Sequence, residues 1–311
     1  MRRTTLLGLL GLATAHHVLF FHNLGPRSHL IQLSPIMEQL LENGNQVTAI
    51  IFSTVDIKHK NYTEIVLRAS LDEGMEKFSQ MVVRRDSLLD PELWKWIYKM
   101  VTEDLKEHAL DVVKHPEVQK LIKTRPRVDA VVTMWTAGTI FAEIFDCPLI
   151  LFSPNSPVIS KGTTNVINFS VQPFITAPFI EPMTFLQRLS NHAMFFAARQ
   201  AMNLLSSRFH SHQSSYLERE LGLTVQPPDT VLRERVAVML TCSQPLTHGA
   251  WQYPPNIIEV GGLQLRPPRR LPAHLQNFMD KVRSRKGIPE KEMSSLDDSL
   301  ILKRRPFPTV L

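Results

Sequence analysis

Cysteine is nearly absent from this 311-residue chain: Cys147 and Cys242 are the two it has. That is too few for a disulfide-stapled scaffold. Each stands in an apolar, strand-like run, so two buried thiols are the expectation. Long hydrophobic stretches are missing too. After the first fifteen residues no run reaches the ~18 apolar residues that a membrane helix needs. The nearest approach, Ala130 to Ala142, is short and bounded by Asp129 and Glu143.

Several chemistry-bearing patterns are also lacking. No G-x-G-x-x-G or G-x-x-x-x-G-K-[ST] occurs, so the common dinucleotide and P-loop fingerprints are excluded. The absence of G-x-S-x-G weakens a hydrolase reading. Without C-x-x-C or H-E-x-x-H a zinc site has no support, and without D-x-D neither has a carboxylate-held Mg²⁺ on a nucleotide sugar. A one-signed charged surface is lacking as well. The formal net charge is +6, but Arg2 and Arg3 and a tail from Lys281 with eight basic against four acidic residues carry all of it. Between Thr4 and Asp280 the charges balance at 25 of each sign. A nucleic-acid partner needs the excess on the folded surface, so none is expected.

What is present begins with MRRTTLLGLLGLATA, a basic start, an apolar core from Leu6 to Leu12, and Ala13 and Ala15 ahead of His16. This is the form of a secretory signal over residues 1–15. Asn61-Tyr62-Thr63 and Asn168-Phe169-Ser170 fit the N-glycosylation pattern, which a lumenal address would make usable.

Hydrophobic content of 43% is enough for a sizeable core. HVLFFHNL and VTAIIF read as strands. Between them Leu30, Leu33, Ile36, Met37, Leu40 and Leu41 recur at helical spacing, and Gly44 supplies the left-handed stop. The region from Ser70 to Thr124 reads as helical with breaks at Pro91 and Pro116. DAVVTMW reads as a buried strand, GTIFAEIF as a short helix and PLILFSP as a strand. A second helical region spans Met183 to about Leu221; VAVMLTCS and IIEVGGLQL complete the strands. This alternation predicts an α/β fold, a Rossmann-like open parallel sheet with helices on both faces. The organisation expected is a signal at 1–15, one domain over 16–280, and a charged, poorly ordered tail over 281–311.

In such a sheet ligands bind beyond the carboxyl ends of the strands. His29 stands there, in the loop after the first strand, where an imidazole can take a proton near neutral pH. The bland alternative is a polar residue near a helix start, bonded to backbone. His16, His17 and His22 are close in sequence, but strand alternation scatters them, so no metal is expected.

These residues resemble the animal UDP-glycosyltransferases, a family that includes UDP-glucuronosyltransferases. The resemblance rests on Ser28-His29 followed by Gly44-Asn45-Gln46-Val47-Thr48, on HPEVQKLI (His115 to Ile122), on Val128-Asp129 and on PLILFS. MTFLQRLSN (Met183 to Asn191), PPNIIEVGGLQL and LPAHLQNFMD (Leu271 to Asp280) follow in the family's order. Each string is weak alone; together they cover residues 1–280, and NYTEI and HPEVQ look nearest the arthropod branch. The resemblance implies the N-terminal, acceptor-binding lobe of a two-lobed, GT-B-type transferase, with UDP-sugar held by a second lobe. It implies metal-independent, inverting transfer of glucose or glucuronate to a small lipophilic acceptor, a detoxification chemistry, with His29 as general base and no cofactor beyond the UDP-sugar co-substrate. It also implies a setting in the endoplasmic reticulum and pairing with full-length family members.

Two departures stand out. The position where the family places the carboxylate that orients the histidine holds Met134, with Asp129, Glu143 and Asp146 as the nearby alternatives. From Lys281 onward the family's donor domain is not recognisable, so a truncated chain without transfer activity of its own is the expectation. The alternatives are a lumenal lipophile-binding or regulatory partner of full-length relatives, or a non-functional truncation. Asn45, where the family usually has histidine, carries no functional reading.

Overall fold

The computed structural model describes residues 15–22, 27–67, 103–134, 136–154, 182–244, 253–266 and 270–284, with helical positions 95 and 99. All but the last residue of the expected signal, the Asn168 sequon, and most of the stretch expected to be helical before residue 103 lie outside these residues.

Strands β1 (His17–His22), β2 (Gln46–Ile51), β3 (Tyr62–Val66), β4 (Ala130–Thr133), β5 (Leu149–Ser153), β6 (Val236–Thr241) and β7 (Ile257–Glu259) form one sheet. The order is β3-β2-β1-β4-β5-β6-β7, and all six pairings are parallel. Around it run α1 (Arg27–Glu42), α2 (Leu105–Lys114), α3 (Pro116–Thr124), α4 (Thr139–Ile144), α5 (Phe185–Leu221) and α6 (Pro228–Arg235). The expected α/β, Rossmann-like open parallel sheet is the fold observed.

Alternation along each strand builds two cores. Val18 and Phe20 of β1 with Val47, Ala49 and Ile51 of β2 pack beneath Leu30, Leu33, Met37 and Leu41 of α1. Leu19, Phe21 and Ile50 face the other way, toward Ala109, Val112 and Val113 of α2, Ile140 and Phe141 of α4, and Phe209 and Leu217 of α5. Period-two side-chain direction produces this division. All six residues of β1 are buried, as a strand covered on both faces requires.

Boundaries follow local chemistry. Gly44 adopts φ +83° just after α1, the left-handed stop expected of it. The break expected at Pro116 is present: α2 ends at Lys114 and Pro116 opens the first turn of α3, where its missing N–H costs nothing. Thr184 and Gln187 form a reciprocal capping box at the start of α5, and Gly222 closes it at φ 64°. Although α5 has 37 residues, no helix among the described residues is long and apolar enough to cross a membrane.

Three elements were not foreseen: β3, α6, and α7 (Ala273–Ser284). β3 is a sheet edge with a single buried residue, Ile65, so it has no apolar run to announce it. α6, PDTVLRER, is half charged and buries Pro228, Val231 and Leu232. The chain divides into two compact units after Gln264, whereas the sequence reading carries the first domain to Asp280. α7 belongs to the second unit and continues through Asp280 to Ser284, because Leu275, Phe278 and Met279 keep helical spacing. Both cysteines are free, Cys147 buried and Cys242 partly so, and burial pushes each thiol up to about 11.

Candidate functional site

In this strand order the chain runs from β1 outward through β2 and β3, and from β4 outward the other way. The crevice beyond the carboxyl ends of β1 and β4 is the switch point where such folds bind ligands. Phe21 and Thr133 are the last ladder pair between these strands; one step further stand His22 and Met134. The turn after β4 packs tightly against this edge. A Cβ on Gly138 would lie 2.7 Å from the Thr133 Cβ and 2.9 Å from a Phe21 ring carbon, so only glycine lets the turn approach so closely.

His29 is the third residue of α1 and half-buried. Its Nδ1 is sealed from solvent with no hydrogen-bond partner among the described residues. Burial holds its pKa below the ordinary histidine value, and the positive end of a helix also disfavours imidazolium. The ring is therefore neutral at pH 7 and keeps a lone pair for a proton. The backbone-bonded alternative finds no support at Nδ1, which bonds to no backbone group among the described residues.

His22 lies under His29. The two ring centroids are 6.0 Å apart at an interplanar angle of 48°, and the edge of His22 meets Phe52 at 5.1 Å and 64°. His22 is 1% exposed, and neither of its ring nitrogens has a partner among the described residues. Burial, reinforced by the neighbouring His29, depresses its pKa to about 3.

Met134, where the resemblance leads one to expect an orienting carboxylate, is buried in the apolar cluster with Phe20, Leu30, Val132 and Phe152. The three carboxylates that could replace it are engaged elsewhere. Asp129, at the amino edge, accepts the His17 amide at 2.8 Å and the Arg127 Nε–H at 2.9 Å. Glu143 accepts the Gln226 amide at 2.6 Å, and Asp146 accepts from Arg235 at 2.8 Å. None of them turns toward His29.

The remaining histidines separate as strand geometry requires. His17 sits at the start of β1, six residues long. Its Nδ1–H donates to the Arg127 carbonyl at 3.0 Å and its Nε2 accepts from the Thr48 hydroxyl at 2.8 Å, since a carbonyl can only accept. His16 lies outside the sheet, 3.6 Å from Asp129. Among the described residues no group of three or more His, Cys, Asp or Glu could hold a metal ion. Asn61 is half-buried, and its Nδ2, the atom that would carry a glycan, donates to the Asn45 carbonyl at 3.4 Å. Asn45 also donates from its side chain to the Leu40 carbonyl at 3.0 Å and accepts the His16 amide at 3.1 Å, a structural role at the end of α1.

His29 was legible from its place after the first strand. His22 was not, because inside HVLFFHNL it is one more strand residue, and its end-of-strand position is the single signal that could have marked it.

Residues 22–289 match the sequence profile of the family described as UDP-glucoronosyl and UDP-glucosyl transferase. The match runs past Asp280, where the string-by-string resemblance ends. The chain is 23% identical to UDP-glycosyltransferase UGT4 of Dactylopius coccus, over 88% of this chain and 53% of that protein. It is 22% identical to UDP-glucuronosyltransferase 2B19 of Macaca fascicularis, over 81% of this chain and 50% of that protein. The chain thus spans about half the length of the curated relatives it matches. Among solved structures, CalG4, the calicheamicin glycosyltransferase, aligns with a TM-score of 0.44 and 12% identity, over 82% of this chain and 56% of that one.

Proposed function

Because the chain belongs to the UDP-glucoronosyl and UDP-glucosyl transferase family, we propose that it is the acceptor-binding lobe of a UDP-sugar-dependent transferase in which His29 is the general base. The observation that carries this is the position of His29 itself: a neutral imidazole at the switch-point edge of the sheet, with Nδ1 sealed away from solvent. Nε2 takes the proton of an acceptor hydroxyl. The freed oxygen attacks the anomeric carbon of glucose or glucuronate, the bond to UDP breaks, and the configuration inverts. No metal is used. A base of this kind contributes roughly 10²–10⁴-fold to rate, and alignment of the two substrates contributes more.

The acceptor class proposed is a small lipophilic alcohol or phenol, and the setting is the lumen of the secretory pathway, supported by the signal-like start and the Asn61 and Asn168 sequons. The test incubates the chain, with a donor-binding lobe of a relative added, with a phenolic acceptor and either UDP-glucose or UDP-glucuronate, following phenol binding and UDP release separately. Saturable phenol binding with UDP release supports the transferase reading; absence of both overturns it.

A second reading is favoured by Met134. With an apolar thioether where a carboxylate would orient the histidine, the lobe binds lipophiles without transferring sugar, alone or paired with a full-length relative. Phenol binding without UDP release in the same experiment selects this reading.

A further inference from the structure

Three ring nitrogens on two neighbouring side chains are sealed from solvent: Nδ1 and Nε2 of His22 and Nδ1 of His29, and none has a partner among the described residues. Buried polar atoms in folded proteins are almost always hydrogen-bonded, and leaving one unpaired costs on the order of 1–3 kcal/mol. The two rings that own these atoms are neighbours, tilted at 48° with 6.0 Å between centroids. That spacing suits a polar contact closed by a small rotation or by one bridging water. The three candidate carboxylates do not compete, since Asp129, Glu143 and Asp146 are bound at other places.

We propose that His22 is the positioning residue for His29: its neutral imidazole accepts the His29 Nδ1–H, directly or through one water, in place of the carboxylate that Met134 lacks. A neutral imidazole has one lone-pair nitrogen and one N–H, so it can accept this bond only while uncharged. The burial that depresses its pKa to about 3 keeps it so at any pH of interest. Phe52, edge-on at 5.1 Å, walls the ring and limits its rotation. The bond fixes His29 as the Nδ1–H tautomer and leaves the Nε2 lone pair outward. Unlike a carboxylate, a neutral acceptor adds no charge to stabilise imidazolium, so His29 stays a weaker base than in a histidine–carboxylate pair. The proposal rests on His29 being the base, but its test does not require turnover.

The test is imidazole ¹⁵N NMR of the full chain as wild type, His22→Phe and His22→Gln. Phenylalanine preserves the apolar packing against Phe52 and removes the acceptor, whereas the glutamine carbonyl restores one. The expected result is His29 mainly as the Nδ1–H tautomer in wild type. That preference falls by up to roughly tenfold in His22→Phe, the worth of one hydrogen bond, and returns in His22→Gln. In turnover, His22→Phe lowers kcat and leaves KM unchanged. A wild-type His29 protonated on Nε2, or a tautomer ratio unmoved in His22→Phe, overturns the proposal, whether or not either variant folds well enough for kinetics. An unchanged kcat in His22→Phe with the expected NMR result would leave the positioning intact and sink the base reading alone.

Discussion

Asp129 and His17 clamp each other: the Asp129 carboxylate accepts the His17 amide at 2.8 Å, while the Asp129 amide donates to the His17 carbonyl at 2.8 Å. The clamp closes the amino edge where β1 and β4 begin, a strand's length of roughly 3.3 Å per residue away from His29. The carboxylate nearest the family's orienting position in sequence is therefore a structural one. Its pKa is lowered, first by the His17 amide and then by Arg127.

Replacing this carboxylate should cost stability and leave the site alone. Asp129→Ala strands the His17 N–H and is expected to destabilise by about 1–3 kcal/mol in denaturant unfolding. The ¹H titration of His29 should not change. A shift in that titration would mean that Asp129 acts on the site after all.

Acid sensitivity should trace to His22. Its folded pKa of about 3 lies below the unfolded value of 6.5, so the unfolded chain binds the proton first. The stability it contributes is complete above pH 6.5 and is lost progressively as pH falls toward 3, on the order of 1 kcal/mol per pH unit. Urea midpoints between pH 7.5 and 4.5 should fall steeply for wild type and less so for His22→Phe. Parallel curves would remove His22 from the explanation.

Much of this frame was legible from the chain alone, and the reasons are physical. β1, β2, β4 and β5 are buried on both faces and read as unbroken apolar runs, and the heptad-like spacing of Leu30, Leu33, Met37 and Leu41 belongs to one helix face. β3 escaped because an edge strand with one buried residue needs no such run. α6 escaped because its charged sequence folds by docking Val231 and Leu232 onto the sheet. The site divides in the same way. His29 follows from the rule about strand ends, and Met134 stood out only against the family pattern. The role of His22 depends on a ring-to-ring approach across seven residues of sequence, which periodicity does not encode.

The turn at Gly138 should tolerate no side chain. Gly138→Ala places a methyl against Thr133 and Phe21, and is expected to cost about 1–3 kcal/mol as overpacking in thermal unfolding. An unchanged melting temperature would show that the β4 turn is looser than described.

A carboxylate introduced at position 134 should act in two directions. Met134→Asp buries a charge in an apolar cluster and should lower stability by on the order of 2 kcal/mol or more. It should also raise the His29 pKa, because an anion favours imidazolium, and it should raise turnover. NMR titration checks the first effect of the charge; an unmoved His29 pKa would place Met134 outside the reach of that ring.

The central claim is that His29 takes the acceptor's proton, and the rate of UDP release with a phenolic acceptor and an added donor-binding lobe of a relative, compared between wild type and His29→Ala, tests it most directly. The account predicts a fall of roughly 10²–10⁴-fold with phenol affinity retained; equal rates in the two proteins would contradict it.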